Sequence, residues 1–290
     1  MSEVQALGLD PVRARPARRL RLSRMAVAAA VVIAALALLA IFGPWVSPYT
    51  YDALDWQHLA APPGLMASHW LGTDPLGRDL YVRTLYGLRL SLLIGVLATA
   101  VSVGIGVAWG AIAGYVGGSA DAWMMRTVDV LYALPYLFVV IILATVFGRG
   151  RVAMLLVAIG AVGWLTMARI VRGQTLSLKR REFIEAARAT GLGTTAILLR
   201  HIVPNLAGTV AVYATLTVPE LITYESFLSF LGLGVQEPLS SLGSLIDQGA
   251  RQMLTAPWML LVPAALLFTL LLCFNLLGDG LRDALDPAAH

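Results

Sequence analysis

Residues 182–205 read EFIEAARATGLGTTAILLRHIVPN, and the way this stretch folds constrains the rest of the chain. Glu185, Ala186, Ala187, Arg188 and Ala189 are strong helix formers. Gly191 is suited to end such a helix in the left-handed conformation. Thr194 is suited to N-cap a second short helix running through Leu198 and Leu199. Pro204 limits its continuation, and Asn205 leads into the next apolar run. The spacing therefore predicts two short helices meeting at a glycine bend. A plain connection would be short and polar. Here Ala186, Ala187, Ala189, Leu192, Ile197, Leu198 and Leu199 form an apolar patch among charges, and exposed patches of that kind mark interaction sites. Two readings fit: a rigid knob for a groove on a soluble partner, or an interfacial helix lying on lipid or on its own bundle.

Working outward, the stretch sits between runs that qualify as membrane spans, each needing about 20 mostly apolar residues. These are Met25–Val46, Ser91–Tyr115, Leu131–Phe147 with an earlier helical start, Val152–Val171, Leu206–Tyr224 and Met259–Leu277. The second is rich in small residues (Gly95, Gly104, Gly106, Gly110, Gly114), which favour close packing and place it inside the bundle. The whole chain agrees: 58% of its 290 residues are hydrophobic, only 13% are charged, and its mean hydropathy is +0.77. A soluble domain carries about a quarter charged residues, so lipid must cover much of this surface. The fold class expected is an all-α membrane protein of six transmembrane helices.

The net charge of +4 reflects position rather than nucleic-acid binding. Arg13, Arg15, Arg18, Arg19, Arg21 and Arg24 precede the first apolar run, and Lys179, Arg180 and Arg181 lie between two later ones. Basic residues beside spans are orientation signals for the cytoplasmic face. That puts both termini and the 182–205 loop inside. Arg78, Arg83, Arg89, Arg149, Arg151 and Arg251 fall outside and weaken the bias without reversing it. The first run is too long for a signal-peptide core, and Phe42-Gly43-Pro44-Trp45 replaces a small-residue cleavage site, so it reads as an uncleaved span. The expected organisation is a basic tail (1–24), a first transmembrane helix (25–46), a periplasmic segment (47–88), a core with the loop at 182–205 (89–278) and a cytoplasmic tail (279–290).

Chemistry of its own is not evident in the sequence. It contains no G-x-x-x-x-G-K-[ST] phosphate cradle, no G-x-S-x-G elbow and no H-E-x-x-H pair. His58, His69, His201 and His290 are scattered, and the single Cys273 lies in an apolar run, so no metal site and no catalytic residue is expected. Asp129 and Glu220 lie near predicted membrane depth, where charge by default suggests function. Both are near span ends, however, where interfacial placement or pairing with an arginine accounts for them. Pro219 would loosen the helix beside Glu220.

Glu185-Ala186-Ala187, then Gly191, then Ile202-Val203-Pro204 resembles the EAA loop of binding-protein-dependent importer permeases. His201 departs from the general pattern, but the form Arg200-His201-Ile202-x-Pro204-Asn205 is similar to the peptide-importer branch. His69-Trp70-Leu71-Gly72-Thr73-Asp74, continuing through Leu76-Gly77-Arg78-Asp79, resembles the segment after the first span in C-type dipeptide and oligopeptide permeases. Residues 227–234 (FLSFLGLG) and 275–287 (NLLGDGLRDALDP) are similar to their outer segment and C-terminal signature.

The resemblance implies a type I ABC importer fold in the bacterial inner membrane, with the Glu185-to-Gly191 helix inserting into a nucleotide-binding subunit. It implies as partners a second homologous permease subunit, two ATPase subunits and an extracytoplasmic peptide-binding protein. The chain itself would bind no cofactor, while ATP and magnesium are used by the ATPases. Peptides are the expected cargo, with nickel or another small solute the alternative within the family. A secondary transporter would need ionisable groups at mid-membrane or paired broken helices. A membrane-anchored sensor without a pore is the remaining rival class.

Two outer segments carry open readings. Gly72, Thr73, Asp74, Gly77, Arg78 and Asp79 form either a turn clamped by Asp–Arg hydrogen bonds or a contact for substrate or binding protein. Gly232, Gly234, Glu237 and Pro238 suggest either a broken, partly re-entrant gate or an ordinary outer loop, since irregular backbone at membrane depth needs protein or a water cavity around it. Gly278-Asp279-Gly280 and Arg282-Asp283 cap the last helix or steady the docking surface.

Overall fold

The computed structural model describes residues 22–64, 68–146 and 152–285. Arg13, Arg15, Arg18, Arg19, Arg21, Arg149, Arg151, Asp286, Pro287 and His290 lie outside these residues. Ten α-helices make up the described fold: α1 (Arg24–Phe42), α2 (Leu80–Val116), α3 (Gly118–Ala133), α4 (Tyr136–Val146), α5 (Val152–Leu178), α6 (Glu182–Ala189), α7 (Thr194–Ile197), α8 (Val203–Phe230), α9 (Leu242–Arg251) and α10 (Trp258–Leu285). Among the described residues no strand forms beyond one isolated bridge between Thr73 and Asp79. Five helical stretches are long and apolar enough to cross a membrane, and six if the bent α3–α4 pair counts as one.

α2 and α5 form the centre and run parallel. A Cβ on Gly106 would meet Met167, one on Gly110 the backbone around Ala168 and Arg172, and one on Gly114 Thr175. The glycine pattern thus lets two backbones approach closely, as small-residue interfaces do in lipid. α1 and α8 run the opposite way. Ala26 at the start of α1 touches Gly280 near the end of α10, and Gly208 of α8 faces Leu285. The described start and end of the chain therefore lie at one end of the bundle, together with α6, which packs on Ala111 and Tyr115 of α2. α9 lies at the other end, where Gly87 of α2 meets Ser241 and Leu242. Arg89 fastens the neighbouring end of α1 by donating to the Ala40 and Ile41 carbonyls at 2.8–3.0 Å, two of the groups a helix C-terminus leaves unpaired.

Helix boundaries depart from expectation in three places. The third span is broken: α3 and α4 meet at an angle of 86°. Leu134 adopts extended backbone (ψ 136°), as the residue before a proline does, and Pro135 has no N–H to continue the ladder. The earlier helical start expected for this span is α3, which begins at Gly118. Second, α7 does not stop at Pro204. A single π-helical turn, Leu198–Ile202, carries it into α8, with Val203 N–H bonding to the Leu198 carbonyl. The shifted register seats Pro204 in the first turn of α8, where a missing N–H does no harm. Third, α8 runs to Phe230 and α2 begins at Leu80, so residues expected in outer loops are helical.

Candidate functional site

α6 is held to the bundle by one face. Ile184 and Ala187 are buried against Ala111, Tyr115, Met167 and Val171, and against Ile197, Ile202 and Leu206. Phe183, Glu185, Ala186 and Ala189 point outward and are exposed. Gly191 has φ +81°. Its N–H bonds to the Arg188 carbonyl at 2.9 Å, and Leu192 N–H bonds to the Ala187 carbonyl at 3.2 Å. This is a Schellman stop, with Leu192 turned back onto the same apolar cluster as Ala187. The expected glycine bend is therefore present, but Gly193 rather than Thr194 caps α7, without a side-chain bond. Arg188 is exposed too, but its guanidinium reaches back to the bundle, donating from Nε to the Tyr115 hydroxyl at 3.1 Å and stacking over its ring. Arg200 and Pro204 are exposed, and the His201 carbonyl accepts from Asn205 at 2.6 Å.

At the far end of α2 the two segments singled out separately in the sequence meet. The Asp74 carboxylate accepts from the Leu76 and Arg78 amides (2.9 and 3.0 Å) and from Arg78 Nε (2.6 Å). The Gly72-to-Asp79 stretch is thus a turn clamped by its own Asp–Arg pair. Asp79 then N-caps α2 through Val82 N–H at 2.8 Å. Arg78 reaches across to Glu237 at 3.0 Å, and Glu237 also accepts from Gln248 of α9 at 3.2 Å. Arg83, fully buried one turn into α2, donates to Gln248 at 3.3 Å and lies over the Tyr51 ring. Tyr51 in turn hydrogen-bonds the Pro238 carbonyl and Ser240. Gly232 (φ +73°) ends α8 in a second Schellman stop, and Gly234 lies against Ser229.

The hydrogen bond from Arg78 holds the Glu237 carboxyl below its ordinary pKa. A carboxylate depressed in the folded state contributes stability above its unfolded value of about 4.3 and loses it as pH falls through the folded one. Glu237→Gln should therefore lower the thermal midpoint in detergent slightly and evenly above about pH 5. The difference between wild type and variant should then shrink as pH falls further, through the depressed folded value. A difference independent of pH would remove Glu237 from the clamp.

Several residues of these networks were not among those singled out. Glu225, expected to begin an outer loop, is fully buried and accepts from Ser91 (2.9 Å) and Ser229 (2.7 Å), while Ser91 also accepts from the Leu242 amide (3.2 Å). It ties α2, α8 and α9 together. The signal was Ser229, four residues beyond it on the same helical face. Asp129 pairs with Arg169 at 2.8 Å on the exposed side of α3, and Glu220 accepts from Tyr224 at 3.0 Å.

Residues 106–290 match the family described as binding-protein-dependent transport system inner membrane component, and residues 15–63 match the N-terminal TM domain of oligopeptide transport permease C. The chain belongs to that inner membrane component family. It is 52% identical over 270 residues to the oligopeptide transport system permease protein OppC of Haemophilus influenzae, covering 93% of this chain and 86% of that protein. Against OppC of Escherichia coli the identity is 53%, covering 93% and 89%. Against the dipeptide transport system permease protein DppC of Bacillus subtilis it is 44%, covering 93% and 84%. A solved structure of the MetNI methionine ABC transporter, inward facing, superposes with a TM-score of 0.57 at 19% identity, covering 71% of this chain and 97% of that one, which establishes the shared fold. Within the family match lie α3 to α10, α6 among them. The Gly72-to-Asp79 clamp falls between the two matched regions.

Proposed function

We propose that this family member is the membrane-spanning subunit through which an ATP-driven importer passes peptides, and that α6 is where it takes up force from an ATPase. High identity to oligopeptide and dipeptide permeases across nearly the whole chain supports the peptide cargo. The observation that carries the coupling is the two-faced seating of α6: Ile184 and Ala187 locked into α2 and α5, with Phe183, Glu185 and Ala186 left bare. A helix so held transmits a push to the bundle rather than folding away from it.

In this reading α6 and both termini face the cytoplasm, where Lys179, Arg180 and Arg181 belong, and the Asp74–Arg78–Glu237 network faces outward. A second permease subunit completes the path, two ATPases using magnesium and ATP bind beneath, and a peptide-binding protein docks outside. Closure of the ATPases moves α6 and with it α2 and α5 as a body, exchanging inward for outward access.

The test is a crosslink. Ala186→Cys, in a chain whose buried Cys273 has been replaced by serine, should form an adduct with the ATPase in membrane vesicles. Adduct formation should change with ATP, and the vesicles should accumulate a labelled tripeptide only with ATP present. Modification of Ala186→Cys by an impermeant reagent from outside the cell would overturn the arrangement.

A further inference from the structure

The four histidines look scattered in sequence, yet the fold brings two of them together with a carboxylate. Asp55, His58 and His69 each present one donor atom, and the three lie within 4.8 Å of one another. Asp55 Oδ2 is 2.8 Å from His58 Nδ1 and 3.3 Å from His69 Nε2. From the geometry we infer that these three residues form a binding site for a divalent cation of the zinc class, which pins the segment after α1 to the start of α2.

The argument rests on what lies behind His69. This ring is buried, stacked on Tyr49 with centroids 4.1 Å apart, and its Nδ1 is 2.7 Å from the buried Asp79 carboxylate. A carboxylate there takes the Nδ1 hydrogen and fixes the tautomer, leaving the Nε2 lone pair directed at Asp55. A histidine ligand braced in this way by a carboxylate is the usual outer-shell arrangement of a bound metal. Without a cation, a neutral His69 so braced turns Nε2 toward Asp55 Oδ2 as acceptor against acceptor, while His58 Nδ1 either donates to the same oxygen or, in its other tautomer, offers its lone pair to an ion.

Ligands held about 2.0–2.2 Å from a tetrahedral ion lie roughly 3.3 Å apart; Asp55 Oδ2 and His69 Nε2 already stand at that separation, and the exposed His58 ring, 2.8 Å from Asp55, turns to complete the set. Two imidazoles and one carboxylate suit zinc rather than calcium or magnesium, which prefer oxygen ligands. His58 is exposed, so an ion can enter from solvent and keep a water as fourth ligand.

The consequence is mechanical. Asp55 and His58 belong to one turn, His69 to another, and Asp79, which braces His69, is the N-cap of α2. The Asp55 amide also bonds to the Gly77 carbonyl, and Thr73 Oγ1 to that of His58. An ion at this point would tie the turns at residues 55–58 and 69 to the clamp that carries Arg78.

The experiment uses the full chain purified in detergent on a tag without histidines, stripped with chelator and titrated with zinc against a competing dye. One ion per chain and a raised thermal midpoint are expected, and cobalt should give the intense visible absorption of a tetrahedral site. His58→Ala, at an exposed position, should weaken binding at least about tenfold without changing the midpoint of the stripped protein. Asp79→Asn, which can still cap α2, should weaken it about 10–100-fold, while His201→Ala should leave it unchanged. Zinc binding at less than one ion per chain, or binding unaffected by His58→Ala, would overturn the site. A midpoint that responds to acid but not to zinc would replace the ion with a protonated His69.

Discussion

Gly191→Pro is expected to reduce ATP-driven peptide uptake to near background while leaving the chain inserted and folded. Gly191 sits at φ +81° and donates its N–H to Arg188. Proline is fixed near −65° and has no N–H, so the bend between α6 and α7 cannot form as it stands. A mismatch of this kind costs on the order of 1–3 kcal/mol, and at about 1.4 kcal/mol per tenfold the seated population of α6 drops by roughly one to two orders of magnitude. Gly191→Asn is the control. No atom lies within 4 Å of where a Cβ would stand, and asparagine tolerates the left-handed region, so uptake should stay close to wild type. The measurement is initial uptake rate in vesicles, normalised to chain present. Full uptake by Gly191→Pro would detach the bend from coupling.

Gly110→Leu is expected to prevent a stable bundle altogether. A side chain here would be driven into the backbone of α5, with Arg172 N 2.9 Å from the Cβ position and the Ala168 carbonyl closer still. Flexible side chains can yield, but helix backbone cannot, so α2 and α5 must separate and the clusters around Met167 and Val171 open. Overpacking of a core typically costs about 1–3 kcal/mol and more where nothing relaxes, set against a total stability of about 5–15 kcal/mol. Chain yield in detergent should fall sharply, and any surviving protein should melt well below wild type. Gly104→Leu, six residues earlier on the same helix, meets nothing within 4 Å and should melt with wild type. Equal behaviour of the two would mean that the close approach of α2 and α5 is not what holds the bundle.

That contrast also indicates what the sequence made legible. Glycine spacing in α2 announced a buried helix because small residues have few other uses in lipid. The α6 bend was readable because its parts are local: strong helix formers, one glycine, then an apolar residue that folds back. Pairings between distant segments were not readable. Arg78 and Glu237 are 159 residues apart, and Arg83, counted as an outward charge, is buried because Gln248, Tyr51 and Asp74 come from three other places to surround it. Glu225 was misplaced for a related reason: the span was ended at Tyr224, whereas three serine hydroxyls let the next residue sit inside a helix junction. The break at Pro135 was hidden in an unbroken apolar run, where hydropathy alone cannot register a missing N–H.

α2 is one uninterrupted rod of 37 residues, about 55 Å long, nearly twice the roughly 30 Å of hydrocarbon in a bilayer. Its N-cap, Asp79, lies inside the charged clamp, and its last turns carry Ala111 and Tyr115, the floor on which α6 rests. A stiff strut of that length cannot absorb a shove at its foot by local yielding, so the head has to swing with it. Under the proposed coupling, a pull on α6 at one end of the bundle would displace Arg78 and Arg83 at the other without any relay of intermediate rearrangements.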